Sequence, residues 1–270
     1  MESVEFHHAR ALLEWQVELG ATDAICDAPL DRYEAPATLP AAPAARGATK
    51  EAARGAADQR SGPVAAQPKD APSPVAAATA AAAAAQTLED LRAAMAGFDP
   101  CELRLGARNM VFSAGKPGAS VMIVTEMPSR EEDRTGAAFP GETGAMLDLM
   151  FQAIGLGRTQ ERGGLYIANV LPWRAPQGRD PTQPEIAMMR PFLERHITLA
   201  DPKIIVAMGN ISCEALLGQR GISRLRGQWG TAVSRPVLPL YHPGYVQRNP
   251  AVKPAVWHDL LSLRSRLSDG

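Results

Sequence analysis

Carboxylates, an amide, an imidazole and an aromatic ring recur in this sequence at one kind of place, immediately beyond short apolar runs. Glu126 follows SVMIVT, with Glu131, Glu132 and Asp133 a few residues later and Phe139 beyond them; Asn169 ends LYIAN; His242 follows PVLPLY. A carboxylate can orient or deprotonate water, an amide can donate and accept, an imidazole can donate to a developing anion, and Phe139 offers a flat apolar face. An edge-reading amide beside an aromatic plate suits a planar heterocycle. Arg224, Arg226, Arg248 and Lys253 flank the His242 loop in the chain and suit phosphates around that ring. A base held within a nucleic acid fits these residues better than a free nucleotide does.

Competing chemistries lack their motifs. No GxxxxGK[ST] and no GxGxxG after a strand is present, which excludes the usual phosphate cradles. The chain carries no HxxxH, no HxE followed by CxxC, and no GxSxG, so neither zinc deamination nor a serine-type hydrolase is supported. The three cysteines, Cys26, Cys101 and Cys213, are scattered, which fits a reducing compartment and forms neither a disulfide framework nor a metal pair. The N-terminal MESVEFHHAR lacks the basic and apolar regions of a signal peptide, and no apolar run is long enough to span a bilayer, so a cytoplasmic protein is expected. The net charge of -1 hides an asymmetry: residues 1–86 carry 7 basic and 11 acidic side chains, whereas from Gly218 onward there are 8 and 2. The basic end is compatible with a polyanion.

The elements that must position these groups follow from periodicity. Residues 7–20 read as one amphipathic helix, placed in an N-terminal segment 1–34 whose partner the sequence does not name. Residues 35–85 contain 23 alanines and 7 prolines, and such a stretch has too little apolar area to offset its chain entropy. It is read as a disordered linker, with its terminal alanine run able to turn helical. Order is expected over 86–270, starting with the cap in TLED. There SVMIVTE, LYIANVL, KIIVAMG and PVLPLYHP alternate with helical patterns such as GAMLDLMFQAIGL and PAVWHDLLSLRSRL. Near-continuous apolar strands separated by helices predict an α/β fold, a three-layer doubly wound sheet of about four parallel strands. Polar clusters at the strand C-termini then converge on one edge of the sheet, where open α/β sheets bind ligands.

The blocks TEMPSREEDRTGAAFPGETGAMLDLMFQAIGL, YIANVLPWRAPQGRDPTQPEI, PKIIVAMG, RLRGQWG and YHPGYVQRNPAVKPAVWHDL, in that order, resemble the family 4 type of uracil-DNA glycosylase over roughly residues 88–266. The resemblance implies that fold and an enzyme of base excision repair, acting on uracil-containing DNA and leaving an abasic site; a monomer is expected. It implies that Glu126 and Met127 border uracil, that Phe139 stacks on the flipped base, that Asn169 reads its polar edge and that His242 faces the carbonyl oxygen on which charge develops. Glu132 becomes a second candidate for orienting water, and Arg224, Arg226, Tyr245 and Arg248 become the DNA-binding set.

Two departures from the family pattern set further expectations. That family commonly holds a four-iron cluster on four cysteines; here Phe98, Met189 and Ala207 stand at three of those positions beside Cys101, so no cluster and no other metal is expected. The family's GExPG reads TEMPS here, with Thr125 and Ser129 in place of glycines, which resist conformations that glycine adopts. An altered pocket is therefore expected, and with it an alternative: a catalytically impaired member that binds uracil-containing or damaged DNA without turnover.

Overall fold

The computed structural model describes residues 73–160 and 163–268. Residues 1–34, expected to hold a helix, and most of the Ala/Pro stretch lie outside the described residues. In chain order the elements are α1 (Pro74–Ala84), α2 (Leu88–Ala96), α3 (Leu103–Gly106), β1 (Ser113–Gly115), β2 (Val121–Thr125), α4 (Arg130–Thr135), α5 (Gly141–Gln152) and β3 (Leu165–Asn169). There follow α6 (Gln183–Ala200), β4 (Ile204–Met208), α7 (Asn210–Leu217), α8 (Ile222–Leu225), β5 (Gly230–Ala232), β6 (Arg235–Leu240), α9 (Pro243–Arg248) and α10 (Lys253–Ser268).

The strands form one sheet in the order β1-β3-β2-β4-β6-β5. Its four central strands are parallel, as their apolar sequences require, and every residue of β2, β3 and β4 is buried. The pleat sends alternate residues to opposite faces. Met122, Val124, Tyr166, Ala168, Ile205 and Ala207 pack with α1, α2, α6 and α7 in one core. Val121, Ile123, Leu165, Ile167, Ile204, Val206 and Met208 pack with α5 and α10 in the other. The arrangement is the three-layer α/β sandwich expected, enlarged by β1 and β5, which pair antiparallel at the two edges.

The stretch read as a linker ends earlier than residue 85. Ser73 caps α1 by accepting the Ala76 N–H at 3.2 Å. Ala78 and Ala82, one turn apart, are buried against α6, and Arg195 of α6 donates to the Ala85 carbonyl at 2.9 and 2.7 Å, meeting an acceptor the helix end leaves open. Alanine has little area to bury, but its small side chain lets two helix backbones approach closely. Ser73 to Ala85 therefore belong to the folded unit, and a truncation that preserves it must fall before Ser73.

Candidate active site

Parallel strands bring their C-terminal ends to one edge of the sheet, and the polar clusters gather there, although Asn169 itself is buried and does not line the cleft. β2 and β3 run in register with Thr125 opposite Asn169, while the Gly209 N–H beyond β4 donates to the Leu240 carbonyl that ends β6 at 3.2 Å. A cleft of about 510 Å³ opens at this edge, lined among others by Glu126, Met127, Glu132, Phe139, His242 and Arg248. The site is thus assembled from segments more than a hundred residues apart in sequence.

His242 caps α9. Its Nδ1 accepts the Gly244 N–H at 3.1 Å, so that nitrogen is unprotonated and the ring proton sits on Nε2. Burial first, and the nearby Arg248 charge second, push its pKa down to about 4. The ring is therefore a neutral hydrogen-bond donor at neutral pH, and among the described residues no group accepts from its Nε2. Phe139 stacks on the imidazole with ring centroids 5.4 Å apart and planes 26° from parallel.

Glu126 stands at the N-terminus of α7, where its Oε1 accepts the Ile211 N–H at 3.0 Å. Only glycine fits beside it: a Cβ on Gly209, whose φ is +97°, would lie 2.4 Å from that oxygen. Burial raises the Glu126 pKa above the usual carboxylate value, and the backbone N–H bonds of Ile211 and Asn210 oppose that rise without cancelling it. A carboxylate with a raised pKa is a stronger base, fit to take a proton from water.

Glu132 is differently employed. Its Oε2 accepts the Ser129 N–H at 2.8 Å, completing a capping box with the Ser129 hydroxyl, and its Oε1 accepts the Phe139 N–H at 2.9 Å. One N–H on each oxygen fixes the carboxylate, which also lines the cleft, and leaves each oxygen a second acceptor site. Asn169 is buried at the end of β3; its amide donates to the Val111 carbonyl at 3.1 Å, and its Oδ1 is buried with no hydrogen-bond partner among the described residues. An orphaned buried acceptor is costly unless something donates to it.

Thr125 and Ser129, at the two replaced glycines, have regular backbone geometry. Thr125 is a regular, buried strand residue whose carbonyl accepts the Val170 N–H at 2.9 Å. Ser129 has φ -66° and is a helix cap, a position where serine outperforms glycine. Neither occupies the left-handed region that glycine alone adopts readily, so the backbone of the motif is ordinary at both positions.

The DNA-binding set divides. Arg248 lines the cleft. Tyr245 is half exposed and stacks on Tyr241 at 4.9 Å, while Arg224 lies on α8 outside the cleft lining. Arg226 is corrected: its guanidinium is bound to the fully buried Asp259 through Nε at 2.7 Å and through Nη2, which also donates to the Ala255 carbonyl at 2.8 Å. It ties α10 to the segment between α8 and β5 and is already paired. In its place Arg130 and Arg174 line the cleft. Both were visible, one directly after TEMPS and the other in PWRAP, but counting charge only toward the C-terminus overlooked them.

Phe98, Cys101, Met189 and Ala207 are all buried in the core that contains α1, α2 and α6, with Phe98 edge-on to Phe192 at 5.1 Å. Burial pushes the Cys101 thiol up, which disfavours the thiolate that iron requires. One such thiol among apolar side chains is no donor set for an iron–sulfur cluster.

The family model described as the uracil DNA glycosylase superfamily matches residues 112–261. A type-4 uracil-DNA glycosylase of Sulfurisphaera tokodaii is 32% identical over 187 residues, covering 66% of this chain and 84% of that protein. Those of Archaeoglobus fulgidus and Thermotoga maritima are 31% and 32% identical over 179 and 154 residues, covering 62% and 55% of this chain and 87% and 77% of theirs. The matched region contains β1 to β6 and each cleft residue described above, and the chain belongs to the uracil DNA glycosylase superfamily.

Proposed function

We propose that this protein hydrolyses the N-glycosidic bond of uracil in DNA and leaves an abasic site. The observation that carries the reading is the fixed Nε2–H tautomer of His242, neutral and stacked on Phe139 in a cleft that also holds Glu126. Breaking the bond between C1′ and N1 leaves both electrons on the base, so negative charge grows on the uracil carbonyl oxygen while the sugar becomes cationic. A neutral donor aimed at that oxygen stabilises the first charge. A carboxylate stabilises the second and takes a proton from the water that attacks C1′. Phe139 supplies the face on which a flipped base rests, and the unpartnered Oδ1 of Asn169 is an acceptor that the imide N–H of uracil would satisfy. Every group comes from one chain, so a monomer suffices, and the reaction draws on no metal or iron–sulfur cluster. No described helix is long and apolar enough to cross a membrane.

The test is incubation with end-labelled uracil-containing oligonucleotide followed by alkaline cleavage. A strand break at the uracil position, with the thymine-containing control intact, is expected; shifted but uncleaved uracil DNA would favour binding without turnover.

Two further expectations follow from the electrostatics. The single-turnover rate should fall as pH drops, because Glu126, with its raised pKa, takes up a proton at a higher pH than an ordinary carboxylate and ceases to act as a base. No inflection should appear near the usual imidazole value of about 6.5, since His242 stays neutral down to about pH 4. An inflection near 6.5 that vanishes in His242→Ala would contradict this assignment. The second expectation concerns Arg248. Its replacement by Ala should weaken binding to all sequences alike and flatten the dependence of log affinity on log salt by about one unit. A slope equal to wild type would place the phosphates elsewhere.

A further inference from the structure

Phe139 adopts φ +52°, a left-handed conformation that bulky L residues avoid, so something must hold it there. Three contacts grip its backbone. The N–H is taken by Glu132 at 2.9 Å. The carbonyl accepts Arg158 Nη1 at 3.2 Å, and the same nitrogen donates to the Ala138 carbonyl at 3.3 Å. Gly144, on the first turns of α5, lies so close that a Cβ there would come within 1.9 Å of the Phe139 oxygen. Arg158 is in turn clamped by Asp148, its Nε donating at 2.8 Å and its Nη2 at 2.5 Å. Neither Arg158 nor Asp148 lines the cleft; they line another concavity, with Gly115 and Gln152.

We propose that Arg158, oriented by Asp148, is a positioning residue for the stacking plate: it fixes the Phe139 carbonyl, and thereby the angle at which the ring meets both His242 and the base. The inference rests on the glycosylase reading above and extends it to a side chain that touches no substrate. A peptide anchored at N–H and C=O has little freedom to rotate, and rotation about that residue is the motion that would swing the ring away from the imidazole. Loss of the guanidinium frees the carbonyl end while leaving Glu132 on the other, so the ring is expected to sample positions from which stacking fails. Misplacements on the order of 1 Å cost up to about 100-fold in rate.

The experiment is a double-mutant cycle between Arg158→Met and Phe139→Ala, with Arg158→Lys as the conservative variant, read by single-turnover excision and by thermal unfolding. Arg158→Met is expected to slow excision about 10- to 100-fold and Arg158→Lys less. In the Phe139→Ala background Arg158→Met should slow excision no further, although it lowers the unfolding midpoint equally in both backgrounds. Equal rate losses in the two backgrounds would show Arg158 to act through general stability and overturn the proposal, as would a Phe139→Ala rate equal to wild type. The same cycle is read in parallel as the affinity ratio for uracil- over thymine-containing oligonucleotide, which needs no turnover. A wild type that binds uracil DNA selectively without excision thus counts against the reaction, while coupling or additivity in the affinity ratio still decides the role of Arg158.

Discussion

His242→Ala is expected to lower single-turnover excision of uracil by ~10²- to 10³-fold while leaving the affinity for uracil-containing DNA nearly unchanged. The asymmetry comes from timing. In the ground state the uracil carbonyl is a neutral acceptor, and a neutral Nε2–H gains little from it; as the glycosidic bond lengthens the oxygen becomes anionic and the same contact strengthens. A donor held in advance by the Gly244 N–H on its other nitrogen requires no reorientation at that moment. The low pKa of about 4 is consistent with such a role, because a protonated ring would lose its capping bond and face the Arg248 charge. Parallel measurement of binding and of the chemical step distinguishes this from a structural histidine, whose loss would weaken both.

Arg226→Ala is expected to destabilise the fold by about 3 to 5 kcal/mol, because it strands a fully buried carboxylate. Asp259 is 0% exposed and has Arg226 as its bidentate partner, and Gly227, with φ +74°, leaves the space for it: a Cβ there would lie 2.5 Å from Oδ1. Replacing both members of the pair, as in Arg226→Met with Asp259→Leu, should recover much of the loss, since no charge is then left unpaired. Denaturant unfolding of the single and double variants checks the ordering. An Arg226→Ala protein as stable as wild type, with a flattened salt dependence of DNA binding, would return this arginine to the DNA surface.

The strands and the site blocks were legible because the physics acting on them is local. Parallel strands covered on both faces must be continuously apolar, as VMIVT and IIVAM are, and polar residues directly after such runs must collect at one edge. The edge strands β1 and β5 were not legible, since three residues such as SAG or GTA are strands only through the neighbours they pair with. The helicity of α1 was legible in its alanine run, but its place in the folded unit was not, because that depends on the surface α6 offers and on the cap from Arg195. The partners of Glu132 and Arg226, the Phe139 N–H and Asp259, lie 7 and 33 positions away and leave no local mark in the sequence. Charge counts along a chain cannot distinguish a free ion from one already paired across the fold. Phe139 was identified as a plate by its residue type; its strained backbone, and the arginine that grips it, emerge only from the packing of α4 and α5 around it.

Whether the cleft beyond β2, β3, β4 and β6 breaks the glycosidic bond of uracil is tested most directly by quantifying free base and abasic sites together. Wild-type protein in excess over a uracil-containing duplex is predicted to release one free uracil for each abasic site formed, with neither product from the thymine control and with release strongly slowed by His242→Ala. Retention of uracil in DNA that the wild-type protein demonstrably binds, or release at equal rates by wild type and His242→Ala, would contradict it.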